Sequence, residues 1–135
     1  MSAAKEVRTD RLYTQEHEWA KASAGEVLVG ISAFAVDQLG DITLVDLTVT
    51  PGDIVAPHQV FGTIESVKTL SDLFSPIAGR VTRVNQELSN NPEWLNEDPW
   101  DKSWMIAIEP SESLAATTGL LDCSAYEHHL EQSDH

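Results

Sequence analysis

Between Leu12 and Pro110 the apolar residues come in short runs, each cut off by a turn signal, and this constrains the fold more than anything else in the chain. Short β-branched runs bounded by Gly, Pro, Asn or Asp read as strands, because a helix needs apolar positions recurring at helical spacing over several turns. Glu26 to Ile31, after the turn at Ala24-Gly25, reads this way, as do Ile42 to Val49, Val60 to Glu65, Leu70 to Phe74, Arg80 to Val84 and Trp104 to Ile108. Pro51-Gly52-Asp53 and Pro76 through Gly79 supply turns, and Pro110 closes the last strand. Helical signals are brief. Ser32 caps Ala33 to Leu39, with Gly40 in the left-handed position that ends it. Asn91 caps a second helix with Pro92 in its first turn. Weaker signals start at Ser111, interrupted by Gly119, and at Asp122, which caps a segment through Leu130. The expectation is a small, mainly β sandwich with short helices at its edges, one of them C-terminal. Residues 1–11 read as a loose lead-in, 12–130 as one domain and 131–135 as a tail.

Charge narrows the partners. With 22 acidic against 8 basic residues the net charge is −14, which repels nucleic acid and anionic membrane surfaces. More basic protein surfaces are the natural partners. A hydrophobic content of 41% over 135 residues supports a modest core without disulfide or metal staples. One cysteine, Cys123, excludes an internal disulfide. The start, MSAAKEVRTDRLYT, has neither a signal peptide's apolar core nor a transit peptide's basic, acid-poor character. The expected setting is cytoplasmic, bacterial by preference, or the mitochondrial matrix for a processed form.

One lysine stands apart. Lys68 lies between the strand runs Val60 to Glu65 and Leu70 to Phe74, where the chain must reverse. At such a tip its stem leaves the surface and its amine is open to acylation, which exchanges a charge for a long neutral arm. Glu65 and Asp72 mark it out for a modifying enzyme, whereas Lys5, Lys21 and Lys102 have no comparable surroundings. Ser66 to Thr69 lacks the Asn-Gly or Asp-Gly pair that announces a tight hairpin, so on local pattern alone Lys68 is a solvated charge in a turn.

A resemblance gives the lysine its meaning. Glu65-Ser66-Val67-Lys68, then Ser71-Asp72 and Ser75-Pro76-Ile77-Ala78-Gly79, closely resembles the lipoylation site of glycine cleavage system H proteins. His17-Glu18-Trp19 after Tyr13, Val29-Gly30-Ile31, Leu39-Gly40-Asp41, Val84-Asn85 with Leu88, and Asn96 through Trp100 continue it in order from about Leu12 to Leu130. The resemblance implies a barrel-sandwich hybrid of the lipoyl/biotinyl type, with lipoate joined to Lys68 and Glu65, Ser66 and Val67 recognised at attachment. It implies a non-catalytic carrier of glycine's aminomethyl group. Its partners would be a pyridoxal-phosphate glycine decarboxylase, a tetrahydrofolate-dependent aminomethyltransferase, dihydrolipoyl dehydrogenase and lipoate-attaching enzymes. It also implies a cleft that shelters the loaded arm, with Glu18 and Asp72 near its amine and Glu16 where some relatives have serine. Without the resemblance, Glu18 and Asp72 are strand-edge surface charges.

Other readings compete on the same residues. A lipoate-relay protein, donating lipoyl groups to other dehydrogenase complexes, has the same attachment motif. A biotin carrier resembles Met-Lys-Met, whereas here the flanks are Val67 and Thr69. No nucleophile–base pair or phosphate loop marks a stand-alone enzyme. His17, His58, His128 and His129 lack the spacing of a metal site, Cys123 lacks a partner histidine, and Trp19, Trp94, Trp100 and Trp104 read as packing. One departure from the resemblance is Asp101-Lys102-Ser103-Trp104, where relatives carry a glycine-containing turn. It reads as a local loop variation.

Overall fold

The computed structural model describes residues 7–111 and 120–133. Within them the apolar runs form nine strands in two antiparallel sheets. The larger sheet runs in the order β1 (Leu12–Tyr13), β2 (Glu18–Ser23), β3 (Glu26–Ile31), β9 (Ile106–Pro110), β8 (Gly79–Val84), β5 (Ile54–Val55). The smaller one is β4 (Ile42–Leu47), β6 (Val60–Ser66), β7 (Leu70–Phe74). Alternation turns Val27, Val29 and Ile31 of β3 toward Val45, Phe61, Ile64 and Leu73 of the smaller sheet, and these share one core. The other face of β3 meets a second cluster built on Tyr13, Trp19, Trp100 and Tyr126. Gly30 permits that packing, since a Cβ there would lie 2.5 Å from the Trp19 ring. The mainly β barrel-sandwich hybrid with short helices, one C-terminal, is the architecture found.

The helices are α1 (Ala33–Leu39), α2 (Gln86–Asn90), α3 (Trp94–Glu97) and α4 (Cys123–Ser133). Ser32 caps α1 by accepting from the Ala35 N–H at 3.3 Å, and the Gly40 N–H closes it on the Val36 carbonyl at 2.9 Å. Asp122 caps α4 through the Ala125 N–H at 2.8 Å.

Several expectations are corrected. The strand expected through Val49 ends at Leu47, and the last strand lies two residues later than Trp104 to Ile108, with Pro110 inside it. β1, β2 and α2 carry no clear sequence signal. Asn91 ends α2 instead of capping the next helix, its amide donating to the Glu87 carbonyl at 2.9 Å. Helix α4 continues to Ser133, so Glu131 to Ser133 is helix and not tail. Arg11 is no part of a loose lead-in: its buried guanidinium lies 4.6 Å over the Trp19 ring and donates to the Trp100 carbonyl at 2.7 Å. The signal after Ser111 falls on 112–119, outside the described residues.

The glycine-free turn before Trp104 needs no left-handed residue, since none of Asp101, Lys102 and Ser103 has positive φ. Asp98 holds it instead, accepting from the N–H groups of Trp100, Asp101 and Lys102 at 3.0–3.2 Å. Burial pushes the Asp98 carboxyl up, but those three backbone donors outweigh it and leave the group below its ordinary value.

Candidate functional site

Register places Lys68. The pairs Thr63↔Asp72, Ile64↔Ser71 and Glu65↔Leu70 leave Val67 and Lys68 at the hairpin tip, between Ser66 and Thr69. Two-residue hairpin turns ordinarily take positive φ at a central residue, yet neither Val67 nor Lys68 does. A buried hydroxyl substitutes: Ser66 Oγ accepts from the N–H groups of Lys68 at 3.1 Å and Thr69 at 3.2 Å. The Ser66 N–H in turn donates to the Thr69 carbonyl at 2.8 Å. Ser66 therefore faces inward and shapes the turn, while Val67 and Glu65 are exposed beside the lysine. The Val67 N–H donates to the Asp41 carbonyl at 3.1 Å, pinning the tip to the segment after α1. Lys68 is exposed, and its stem crosses Gly40, where an added Cβ would come within 3.3 Å of Cε. Gly40 has φ +83°, so it meets two demands at once.

Leu39, next to that seat, lines a cleft of about 180 Å³ whose apolar wall includes Ile31, Ala35, Ile64 and Leu73. Glu16, Glu18 and Asp72 line it too. Asp72 lies four residues beyond Lys68, roughly 13 Å of extended chain, and Glu18 sits against Phe74, two residues further. Glu18 is buried and is no surface charge. Its Oε1 accepts from the Thr14 hydroxyl at 2.6 Å and its Oε2 from the Phe74 N–H at 3.3 Å. Burial lifts its carboxyl from 4.5 to about 7 against those two donors, helped by the neighbouring Glu16 charge. Glu16 is exposed and faces His58, Oε1 to Nδ1 at 3.4 Å. The arrangement offers one exposed amine, an apolar channel beside it and carboxylates farther along, a surface suited to a flexible arm ending in a cation.

Residues 11–133 match the model of the family described as glycine cleavage H-protein. The chain belongs to that family. It is 46% identical to the glycine cleavage system H protein of Anoxybacillus flavithermus over 132 residues, 98% of this chain and 99% of that protein. The H protein of Anaeromyxobacter sp. strain K is 44% identical, over 96% of this chain and 99% of its own length. The crystal structure of a glycine cleavage system H protein from Mycobacterium marinum superposes with a TM-score of 0.81 at 32% identity, covering 96% of this chain and 100% of that one.

In this H-protein chain the fold gathers Glu16, Glu18 and Asp72 around one cleft, from segments more than fifty residues apart in sequence. Glu65 does not line the cleft; it lies between Leu44 and Leu70 on the outer face of the small sheet, the face that Asp72 shares by register. Sequence reasoning missed Thr14, the Phe74 N–H and His58, because each matters only once the strands have closed on one another. It also missed His17, which meets Tyr126 and His129, while His128 sits elsewhere near Glu131. No group of three or more potential metal ligands occurs among the described residues.

Proposed function

We propose that this chain is the lipoyl carrier of a glycine cleavage system, with lipoate attached by an amide to Lys68 Nζ. One observation carries the reading: the exposed Lys68 amine sits on a turn locked by Ser66, over Gly40, beside an apolar channel that carries carboxylates. Among the described lysines, Lys21 instead pairs with Asp10 and Lys102 with Glu97. When bound, lipoate supplies a dithiolane that takes up the aminomethyl group of glycine and exchanges two electrons. The protein supplies the setting. Ser66 and the Asp41 carbonyl hold the tip still, so the arm pivots from a fixed point. Leu39, Ala35 and Leu73 cover an aliphatic chain and keep water from it. Glu18 and Asp72 would stabilise a primary ammonium, a nearby positive charge favouring the ionised Glu18 carboxyl, whose proton would pass to solvent through the open cleft.

Attachment is the work of a lipoate-attaching enzyme that reads Glu65 and Val67 beside the lysine. The partners that follow are a pyridoxal-phosphate glycine decarboxylase, a tetrahydrofolate-dependent aminomethyltransferase and dihydrolipoyl dehydrogenase, the chain being carrier and not catalyst. The bacterial origin of the relatives supports a bacterial cytoplasm as its setting. Lipoylated protein mixed with glycine decarboxylase is expected to support exchange of labelled bicarbonate into the carboxyl of glycine. Lipoylated protein that supports no exchange would remove the glycine cleavage role.

A further inference from the structure

Two walls of the cleft come from separate parts of the chain: the turn into β2, with Glu16 and His17 followed by Glu18 as the strand's first residue, and helix α1, carrying Ala35, Gln38 and Leu39. Tyr126, on helix α4, does not line the cleft, yet its hydroxyl reaches both walls. It lies 2.8 Å from His17 Nδ1 on one wall and 2.7 Å from Ser32 Oγ, the cap of the other. Tyr126 and Ser32 are fully buried, so these contacts are not exchanged for water. We infer that Tyr126 is a positioning residue for the cleft, its single hydroxyl clamping the His17 turn to the start of α1 and so fixing where Glu18 points. The inference rests on the reading of the cleft as the resting place of the loaded arm.

The hydrogen bonds have one polarity that satisfies every buried atom. With the Ser32 proton given to Tyr126 and the Tyr126 proton to His17 Nδ1, Ser32 Oγ still accepts the Ala35 N–H and neither hydroxyl proton is left without an acceptor. Burial, with His129 nearby, holds the His17 ring at about 4, well under its ordinary value, so near neutral pH the ring is neutral, and its Nε2–H tautomer leaves the Nδ1 lone pair for the Tyr126 hydroxyl. Burial likewise drives the Tyr126 phenol upward, which keeps its proton in place. A backbone bond parallels the clamp, the Ser32 N–H donating to the His17 carbonyl at 2.9 Å. His17 needs such restraint: its φ of +75° is a left-handed conformation that a histidine seldom adopts. The Tyr126 ring is held independently, stacked on Tyr13 with centroids 4.3 Å apart and planes 3° from parallel. Removing the hydroxyl alone therefore leaves the helix docked.

Tyr126→Phe is the test, read in two ways. By hydrogen exchange on the unmodified protein, the amides of Ser32 and Ala35 are expected to exchange about fivefold faster, the loss of one net hydrogen bond. Amides between β8 and β9 are expected to be unchanged. By kinetics on lipoylated, glycine-loaded protein, the lifetime of the aminomethyl group is expected to shorten by a similar factor, beside Glu18→Ala as a reference. Unchanged exchange at Ser32 and Ala35, or an equal rise throughout the sheets, overturns the clamp. A shortened lifetime in Glu18→Ala with none in Tyr126→Phe overturns it too, while leaving the cleft reading intact. An unchanged lifetime in Glu18→Ala sinks the cleft reading, and the clamp's role with it.

Discussion

Two neighbours in sequence, His17 and Glu18, are shifted in opposite directions by the same burial, from 6.5 to about 4 and from 4.5 to about 7. Glu18 keeps its proton longer in the folded chain, so its contribution to stability is full below 4.5 and is lost as pH rises to about 7. His17 does the reverse. The unfolded chain binds its proton more tightly, so stability grows as pH rises from about 4 to 6.5. Each effect reaches at most about 1.4 kcal/mol per pH unit, and between about 4.5 and 6.5 they cancel. Urea midpoints of the native chain are therefore expected to be flat across that window, whereas Glu18→Gln makes them climb with pH. Parallel profiles for the two proteins would contradict this account of Glu18. These opposite shifts were not legible in the sequence, where Glu18 on its own pattern reads as a strand-edge surface charge and His17 as an ordinary histidine. Burial of Glu18 depends on Thr14 and Phe74 arriving from different strands. The exposed turn at Lys68 was legible, because it is set by the strand runs on either side of it.

The β6–β7 hairpin shows how an element can form without the expected turn residues. Ser66 Oγ takes the Lys68 N–H and also the Thr69 N–H, which a regular two-residue turn would direct to the Ser66 carbonyl. Ser66→Ala strands those donors in a partly buried tip. It is expected to lower unfolding free energy by about 1 kcal/mol and to slow acylation of Lys68, as read by denaturation and a ligation time course. Loss of stability with an unchanged ligation rate would mean that the tip's rigidity does not matter to the modifying enzyme. Elements with strong local signals came through the sequence well. β3, β7 and α1 end at the residues that their turn and cap signals indicate. β2 did not, because Glu-Trp-Ala-Lys-Ala-Ser has no β-branched residue and becomes a strand only by pairing with β3. Five residues of α2 are too few for a helical period to show. Asn91 carried a genuine cap signal that the chain uses at the other end of a helix.

Over the whole molecule, a net charge of −14 meets a single exposed lysine at the working tip. Asp46, Glu65 and Asp72 lie exposed on the small sheet beside it, and among the described residues no ion pair engages them. Long-range attraction is then expected to speed encounter with basic partner surfaces, so association rates with glycine decarboxylase should fall several-fold between low and moderate salt. Rates indifferent to salt would show that docking relies on apolar contact alone. The proposed carrier role rests on Lys68. The most direct test is intact-mass analysis after incubation with lipoate, ATP and a lipoate ligase. The expected mass gain is one lipoate, less the water lost in forming the amide, with no gain in Lys68→Arg. A lipoyl group that still appears in Lys68→Arg, or a native chain that stays unmodified beside a ligase active on another carrier, would contradict it.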